Sequence, residues 1–151
     1  MINNVNIYLK SRNLKKYLNI DKKYIKFIVI FVMQYLGKAD NFEVTILLSN
    51  DKFIQKYNKE FRKQDKPTNI LSFESGDKNY LGDIIISLQT IKKEAVEQGK
   101  FEKNHFIHIL IHGVLHLLGY DHLNQKDQDE MEDIEIKILA SLEIPNPYFI
   151  D

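Results

Sequence analysis

The chain has 151 residues, of which 44% are apolar and 28% charged, and its formal net charge is zero. This length and composition are typical of one soluble domain with a sizeable core, and they exclude a disordered chain. The sequence contains no cysteine, which excludes disulfides and thiolate metal sites and leaves the cytoplasm as the expected compartment.

Charge is unevenly distributed along the chain. Residues 1–66 contain 14 Lys/Arg against 6 Asp/Glu, whereas residues 101–151 contain 3 against 10. A basic N-terminal half can attract a polyanion such as RNA. The alternative is a solvated, lysine-rich surface that promotes solubility. The charge pattern therefore supports a nucleic-acid partner without establishing one.

The first half of the chain predicts two strands and two helices. Alternating or β-rich runs predict strands over residues 5–9 and 42–48. Helical spacing of apolar residues predicts a buried helix over 22–36, which is too short to span a bilayer. Ser49 or Asn50 is expected to cap a second helix, whose apolar face is Phe53, Ile54, Tyr57 and Phe61.

The second half begins with strands and ends in helices. Residues 69–73 and 81–88 are predicted strands with a turn-rich segment between them. Helical patterns follow over 89–98, 101–118 and 126–142. The prediction is an α+β fold, a single domain over 1–151 in which helices cover a small mixed sheet of about four strands. These signals do not define the strand order.

Three histidines form a metal-binding pattern near the end of the predicted central helix. His112 and His116 are four residues apart, so on a helix both imidazoles project from one face. Gly119 can end the helix in a left-handed conformation, which allows His122 to supply a third nitrogen. Three protein ligands leave a fourth tetrahedral position open, as in a catalytic zinc site. Nickel, copper or iron would also suit three imidazoles.

The helix that carries these histidines is apolar almost all round and is expected to be buried. Buried imidazoles need polar partners, so the alternative to a metal is a set of hydrogen-bonded core histidines. His108 is expected to orient a ligand rather than to bind the metal. His105, at the start of the helix, is expected to be partly exposed.

The ligand spacing is similar to that of metzincin peptidases, H-E-x-x-H-x-x-G-x-x-H. In this sequence, however, Gly113 replaces the glutamate that serves as general base in those enzymes. A zinc peptidase or another small zinc hydrolase therefore remains an alternative only.

Three sequence blocks together resemble the YbeY family of bacterial rRNA maturation factors. Residues 108–122 match H-x3-H-G-x-L-H-L-x-G-Y-D-H, residues 62–73 match R-x-x-D-x-P-T-x-x-L-S-F, and residues 81–84 match L-G-D-I. The histidine motif is highly specific, and the order of the blocks agrees with the family. Glu74 departs from the pattern, since a proline commonly follows the S-F pair, and the C-terminal helix is strongly acidic.

The resemblance implies a metal-dependent single-strand endoribonuclease that acts in 16S rRNA 3′ end processing and ribosome quality control. Its implied partners are single-stranded or ribosomal RNA and the ribosome or its proteins, without a membrane or DNA. It implies that His112, His116 and His122 bind Zn²⁺ or another divalent ion, and that Arg62 is the essential cation. A non-catalytic, zinc-stapled ribosome-binding factor is the remaining alternative.

Arg62 and Asp121 are the candidate catalytic residues. A guanidinium can hold a phosphodiester bidentately and offset negative charge in the transition state. Asp121 adjoins a ligand and is either the general base or a group that orients an imidazole, and Asp65 and Asp83 are other carboxylates in the matching blocks. Aromatic residues can stack on RNA bases, but Phe61 and Phe73 occupy apolar-face positions and are assigned to the core.

Overall fold

The elements expected from the residue pattern are present in the computed structural model, which describes residues 3–17 and 20–148. Each predicted boundary lies within one residue of the observed one, and a short 3-10 helix near the N-terminus was not predicted. The elements are β1 (Asn4–Leu9), the 3-10 helix (Arg12–Tyr17), α1 (Lys22–Tyr35), β2 (Glu43–Ser49), α2 (Asp51–Arg62), β3 (Ile70–Glu74), β4 (Tyr80–Ser87), α3 (Leu88–Gln98), α4 (Glu102–Leu117) and α5 (Gln125–Ser141).

The four strands form one mixed sheet in the order β1-β2-β4-β3. β1, β2 and β4 are parallel, and β3 lies antiparallel to β4 at the edge. α1 provides the crossover between β1 and β2, as parallel neighbours require. The predicted α+β class and the four-stranded mixed sheet are confirmed.

The glycine of the L-G-D-I block, Gly82, lies at an irregular point of the sheet. The pairing of β2 with β4 shifts register between Glu43 and Val44, close to the point where Gly82 joins the ladder. Gly82 has φ +142°, and a Cβ at this position would collide with the carbonyl oxygen of Phe73 on the neighbouring strand. Only glycine fits this irregular point of the sheet without strain.

Side-chain alternation along β4 divides the apolar residues between the two faces of the sheet. Ile84 and Ile86 belong to the main core, which includes residues of α1, α4 and α5. Ile85 points the other way, into a smaller cluster with Ile54 of α2 and Leu71 of β3. α4 is therefore the central helix predicted from its apolar sequence, buried on most sides.

The N-terminus of α2 is capped by Asn50, whose side chain accepts a hydrogen bond from the backbone N–H of Phe53 at 2.8 Å. Ser49, the other candidate, is buried and donates instead to the carbonyl oxygen of Ile86. At the opposite end, the buried Asn58 donates to the carbonyl oxygen of Lys66 at 2.9 Å and fixes the loop that follows the helix.

Within residues 3–17 and 20–148, no helix is long and apolar enough to cross a membrane.

Candidate metal centre and substrate cleft

The last two turns of α4 place two imidazoles side by side. Nε2 of His112 lies 3.1 Å from Nε2 of His116, as expected for residues four apart on one helical face. One ring nitrogen from each of His112, His116 and His122 lies within 4.8 Å of the other two. The predicted ligands therefore converge.

The turn after α4 brings His122 back to the helix. Gly119 has φ +96° and donates its N–H to the carbonyl oxygen of His116 at 3.0 Å. The N–H of Tyr120 donates to the carbonyl oxygen of Leu115 at 3.1 Å. This pair of bonds is a Schellman motif, which reverses the chain direction immediately after a helix. The reversal places the ring of His122 5.2 Å from that of His116, centroid to centroid.

The three imidazoles fit a divalent metal ion. Tetrahedral Zn–N bonds of about 2.0–2.1 Å require ligand nitrogens about 3.3 Å apart, close to the separation between His112 and His116 of 3.1 Å. Burial, followed by the proximity of His112 and His122, lowers the pKa of His116. His116 is therefore neutral at pH 7, and the neutral imidazole is the form that binds a metal. This three-histidine group is able to bind a metal.

A buried glutamate on α5 holds one of the predicted ligands. The carboxylate of Glu135 is fully buried, and its Oε2 accepts a hydrogen bond from Nδ1 of His112 at 2.7 Å. Burial raises the pKa of Glu135, but hydrogen bonds from His108 and His112 outweigh burial and hold this pKa at about 2. An ionised carboxylate only accepts hydrogen bonds. The proton of His112 therefore resides on Nδ1, which leaves Nε2 free for a metal.

His108 and Tyr148 complete the network around this carboxylate. Nε2 of His108 lies 2.8 Å from Oε1 of Glu135, and the Tyr148 hydroxyl donates to the same oxygen. Burial lowers the pKa of His108, and burial together with Glu135 raises that of Tyr148, so His108 is neutral and Tyr148 stays protonated. His108 supports the centre through Glu135, consistent with its predicted role outside the ligand set.

The expectation that His105 is partly exposed is wrong. His105 is only 3% exposed, and its Nε2 lies 2.9 Å from Oε1 of Glu94 on α3. Because α3 packs against α4, the side chain of His105 is covered. His105 belongs to the core and does not line the cleft.

A cleft of about 690 Å³ opens in front of the three histidines. Its walls come from the end of α2, from β3, from α4 and the turn after it, and from Tyr148. Both predicted catalytic residues, Arg62 and Asp121, line this cleft. Arg62 is exposed, and among the residues that the structure describes no carboxylate forms an ion pair with it. Its guanidinium is available to an anionic ligand.

Comparison with known proteins shows the family of the chain. The family model described as Endoribonuclease YbeY matches residues 8–143. The Endoribonuclease YbeY of Ruthia magnifica is 50% identical over 122 residues, covering 78% of this chain and 83% of the relative. That of Vesicomyosocius okutanii is 40% identical over 136 residues, covering 87% and 93%. The chain belongs to the YbeY family of endoribonucleases.

A solved structure has the same fold. The solution structure of TM1509 from Thermotoga maritima matches 92% of this chain and 91% of its own, with a TM-score of 0.59. Its sequence identity is 22%, so this likeness bears on the fold alone.

The environment of Gly113 separates this YbeY chain from the metzincin pattern. A Cβ on Gly113 would overlap the end of the Ile70 side chain and lie 3.2 Å from the Ser72 hydroxyl oxygen, both on β3. The glycine thus permits α4 to pack closely against β3. The Cβ of a glutamate at this position would lie within this packed contact. The family comparisons likewise give no support to the zinc-peptidase alternative or to a non-catalytic factor.

Two other carboxylates of the YbeY blocks do not reach the site. Asp65 accepts a hydrogen bond from Gln55 at 3.0 Å and lies 3.8 Å from the Lys59 ammonium. Asp83 accepts a hydrogen bond from Tyr80. Neither aspartate lines the cleft, so Asp121 is the one of the three candidate carboxylates that does.

Glu135 and Tyr148 were not predicted from the sequence, and the predicted position of Phe61 is wrong. Phe61 was assigned to the core, but its side chain is 57% exposed and lines the cleft. The assignment is wrong because, although Phe61 contacts the rings of Tyr57 and Phe73, more than half of its side chain remains open to solvent. Phe73, the other aromatic assigned to the core, is half-buried and packs against the cluster of Ile54, Leu71 and Ile85.

Proposed function

We propose that this chain is a metal-dependent single-strand endoribonuclease of rRNA maturation, acting in 16S rRNA 3′ end processing and ribosome quality control. The observation that carries this function is that an unpaired guanidinium and three convergent imidazoles line the same cleft. This combination suits a phosphodiester, because the guanidinium can bind its anionic oxygens and the imidazoles can hold a metal ion as a Lewis acid. Zinc is the proposed metal, since three neutral imidazoles with a fourth open position are typical of catalytic zinc.

The cellular setting follows from the same assignment. Ribosomal RNA is the proposed substrate, the ribosome and its proteins are the proposed partners, and the bacterial cytoplasm is the proposed compartment. Residues 1–151 are proposed to form one catalytic domain, since the family match spans residues 8–143.

Arg62 is proposed to hold the scissile phosphate. Its planar guanidinium can donate two parallel hydrogen bonds to the non-bridging oxygens and offset the charge that develops there. A divalent ion held by the three histidines would supply Lewis-acid activation at the same phosphate.

Asp121 is proposed to accept the proton of the nucleophile, either a water molecule or the ribose 2′-hydroxyl. Its carboxylate lines the cleft, and Oδ1 also accepts a hydrogen bond from the backbone N–H of His122 at 2.7 Å. The second contact means that Asp121 could instead shape the turn that presents His122. Asp121→Asn separates these roles. Loss of cleavage with full metal content supports the general base, and parallel loss of metal and cleavage supports the structural role.

The deciding experiment is cleavage of a precursor rRNA fragment by the native protein, His116→Ala and His105→Gln, with metal content measured for each. His105→Gln is the matched control, because an amide can still donate to Glu94 and the residue lies outside the cleft. We expect native and control proteins to cleave the RNA, and His116→Ala to lose both metal and cleavage. Equal cleavage by all three would contradict catalysis at this site. If none cleaves while the native protein binds one metal, the non-catalytic factor is favoured.

A further inference from the structure

Phe61 presents an aromatic ring to the cleft from the last turn of α2. Its side chain is 57% exposed. One contact is edge-on to Phe73, with ring centroids 5.2 Å apart at 67°. Another ring, that of Tyr57, lies parallel to it within 2° at 6.2 Å. The ring is therefore held by two aromatic neighbours while more than half of the side chain faces solvent.

Fold stability does not explain this placement. Leaving more than half of a phenylalanine side chain in water forgoes much of the hydrophobic free energy that burying it would contribute. The two ring contacts instead give the side chain a fixed orientation before a ligand arrives. A preordered ring loses little conformational entropy when a flat ligand stacks on it.

The charges around Phe61 indicate the class of ligand. Arg62 is the next residue and lines the same cleft. The exposed surface of α2 and the loop after it is also rich in lysine, at Lys52, Lys56, Lys59, Lys63 and Lys66. A ligand that matches both features carries flat apolar faces on a polyanionic backbone. Single-stranded nucleic acid has this combination, with bases for the ring and phosphates for the cations.

We infer that Phe61 is a stacking platform for one unpaired nucleobase of the RNA substrate, next to the phosphate bound by Arg62. The inference rests on the proposed endoribonuclease function and adds a base-binding subsite to it. A base within a duplex has both faces covered by its neighbours, so stacking on Phe61 requires an unpaired, displaced base. The platform thereby favours single-stranded over double-stranded substrate.

The test compares the native protein with Phe61→Leu, which keeps an apolar side chain but removes the π face, and with Phe61→Trp, which keeps the π face. Phe101→Leu is the matched control, since Phe101 is 80% exposed and lies outside this cleft. The probes are single-stranded oligoribonucleotides with 2-aminopurine at successive positions, mixed in a stopped-flow instrument so that stacking is read as fluorescence quenching before turnover. KM and kcat are measured on the same sequences.

For native protein, Phe61→Trp and Phe101→Leu, we expect quenching at one position near the cut site. Phe61→Leu should lose this quenching and raise KM about 5- to 100-fold, as for other base–aromatic stacks. Replacing that base with an abasic residue should raise KM for the native protein by a similar factor and leave Phe61→Leu unchanged.

The outcomes distinguish this inference from the proposed function. If the native protein cleaves RNA and Phe61→Leu matches it in quenching and KM, the stacking platform is wrong and the endoribonuclease stands. Native protein that neither binds nor cleaves the oligonucleotides overturns both. Thermal unfolding of each variant, expected to match the native protein, excludes misfolding as the cause of a loss.

Discussion

Glu135 on α5 orients His112 on α4 through a hydrogen bond of 2.7 Å between Oε2 and Nδ1. The other carboxylate oxygen accepts from His108 at 2.8 Å and from the Tyr148 hydroxyl. One buried carboxylate thus joins the candidate metal centre to the C-terminal helix and to the segment after it. Partners of this kind fix the tautomer and the ring orientation of a ligand and raise its basicity.

Glu135→Gln is predicted to weaken zinc binding roughly 10- to 100-fold, the usual cost of losing such a partner. The amide keeps the size of the side chain but lacks the charge, and its NH₂ group faces rings that need an acceptor. Zinc affinity is measured by competition with a chromophoric chelator. Glu130→Gln makes the same change at an exposed position of α5 and should bind zinc like the native protein.

Equal zinc affinities in the two variants would contradict the role of Glu135. A second measurement is independent of affinity. Nitrogen-15 NMR of the metal-free native protein should show the proton of His112 on Nδ1, and Glu135→Gln should shift the population towards the other tautomer.

Arg62→Ala is predicted to lower kcat/KM for RNA cleavage roughly 100-fold, the scale of losing one donor to a developing oxyanion. Arg62→Lys should recover only part of this loss, because an ammonium lacks the planar fork. Arg62 is exposed, so the free energy of unfolding should change by less than about 0.5 kcal/mol. Lys56→Ala removes another exposed cation of α2 and serves as the control. A comparable kcat/KM for Arg62→Ala and Lys56→Ala would remove Arg62 from the mechanism.

The elements and the histidine cluster were predictable because their signals are local. Apolar spacing defined α4, and the interval between His112 and His116 placed two imidazoles on one face of it. Glu135 has a weaker local signal: it lies four residues after Met131 and three before Ile138, both buried. A glutamate in such an apolar stripe needs buried donors, and these were the histidines of α4.

The remaining features depend on contacts between distant parts of the chain. Tyr148 reaches Glu135 only because the segment after α5 returns towards α4, and no local pattern encodes that return. His105 was placed wrongly because a helix start is usually exposed, whereas here Glu94 of α3 covers it. Phe61 was placed wrongly because periodicity shows which residues share a face, but not how deeply each residue of that face is buried.

Gly113→Ala is predicted to destabilise the protein by about 1–2 kcal/mol, although alanine usually stabilises a helix interior. The new methyl group would overlap the end of the Ile70 side chain and force it to move. Ile70→Val removes that terminal methyl. The double variant should therefore lose about 1 kcal/mol less free energy of unfolding than the sum of the losses in the two single variants. Urea unfolding of both single variants and the double variant measures this coupling. If the changes in the free energy of unfolding of the two single variants simply add up in the double variant, Ile70 does not restrict Gly113.

The pair of Glu94 and His105 predicts a pH-dependent contribution to stability away from the metal centre. Burial raises the pKa of Glu94, but hydrogen bonds from His105 and Asn69 outweigh it and hold this pKa below its ordinary value of 4.5. A carboxyl whose pKa is lower in the folded than in the unfolded state contributes stability above the unfolded-state pKa. This contribution is lost as the pH falls below about 4.5 towards the folded-state pKa.

Glu94→Gln should therefore be less stable than the native protein at neutral pH, and the difference should shrink as the pH falls below about 4.5. The amide keeps the shape of the side chain but does not titrate in this range. Urea unfolding of both proteins from about pH 3 to pH 7 gives the two curves, with Glu97→Gln, exposed on the same helix, as the control. A constant difference in the free energy of unfolding between native protein and Glu94→Gln over this range would mean that the folded protein does not shift the pKa of Glu94.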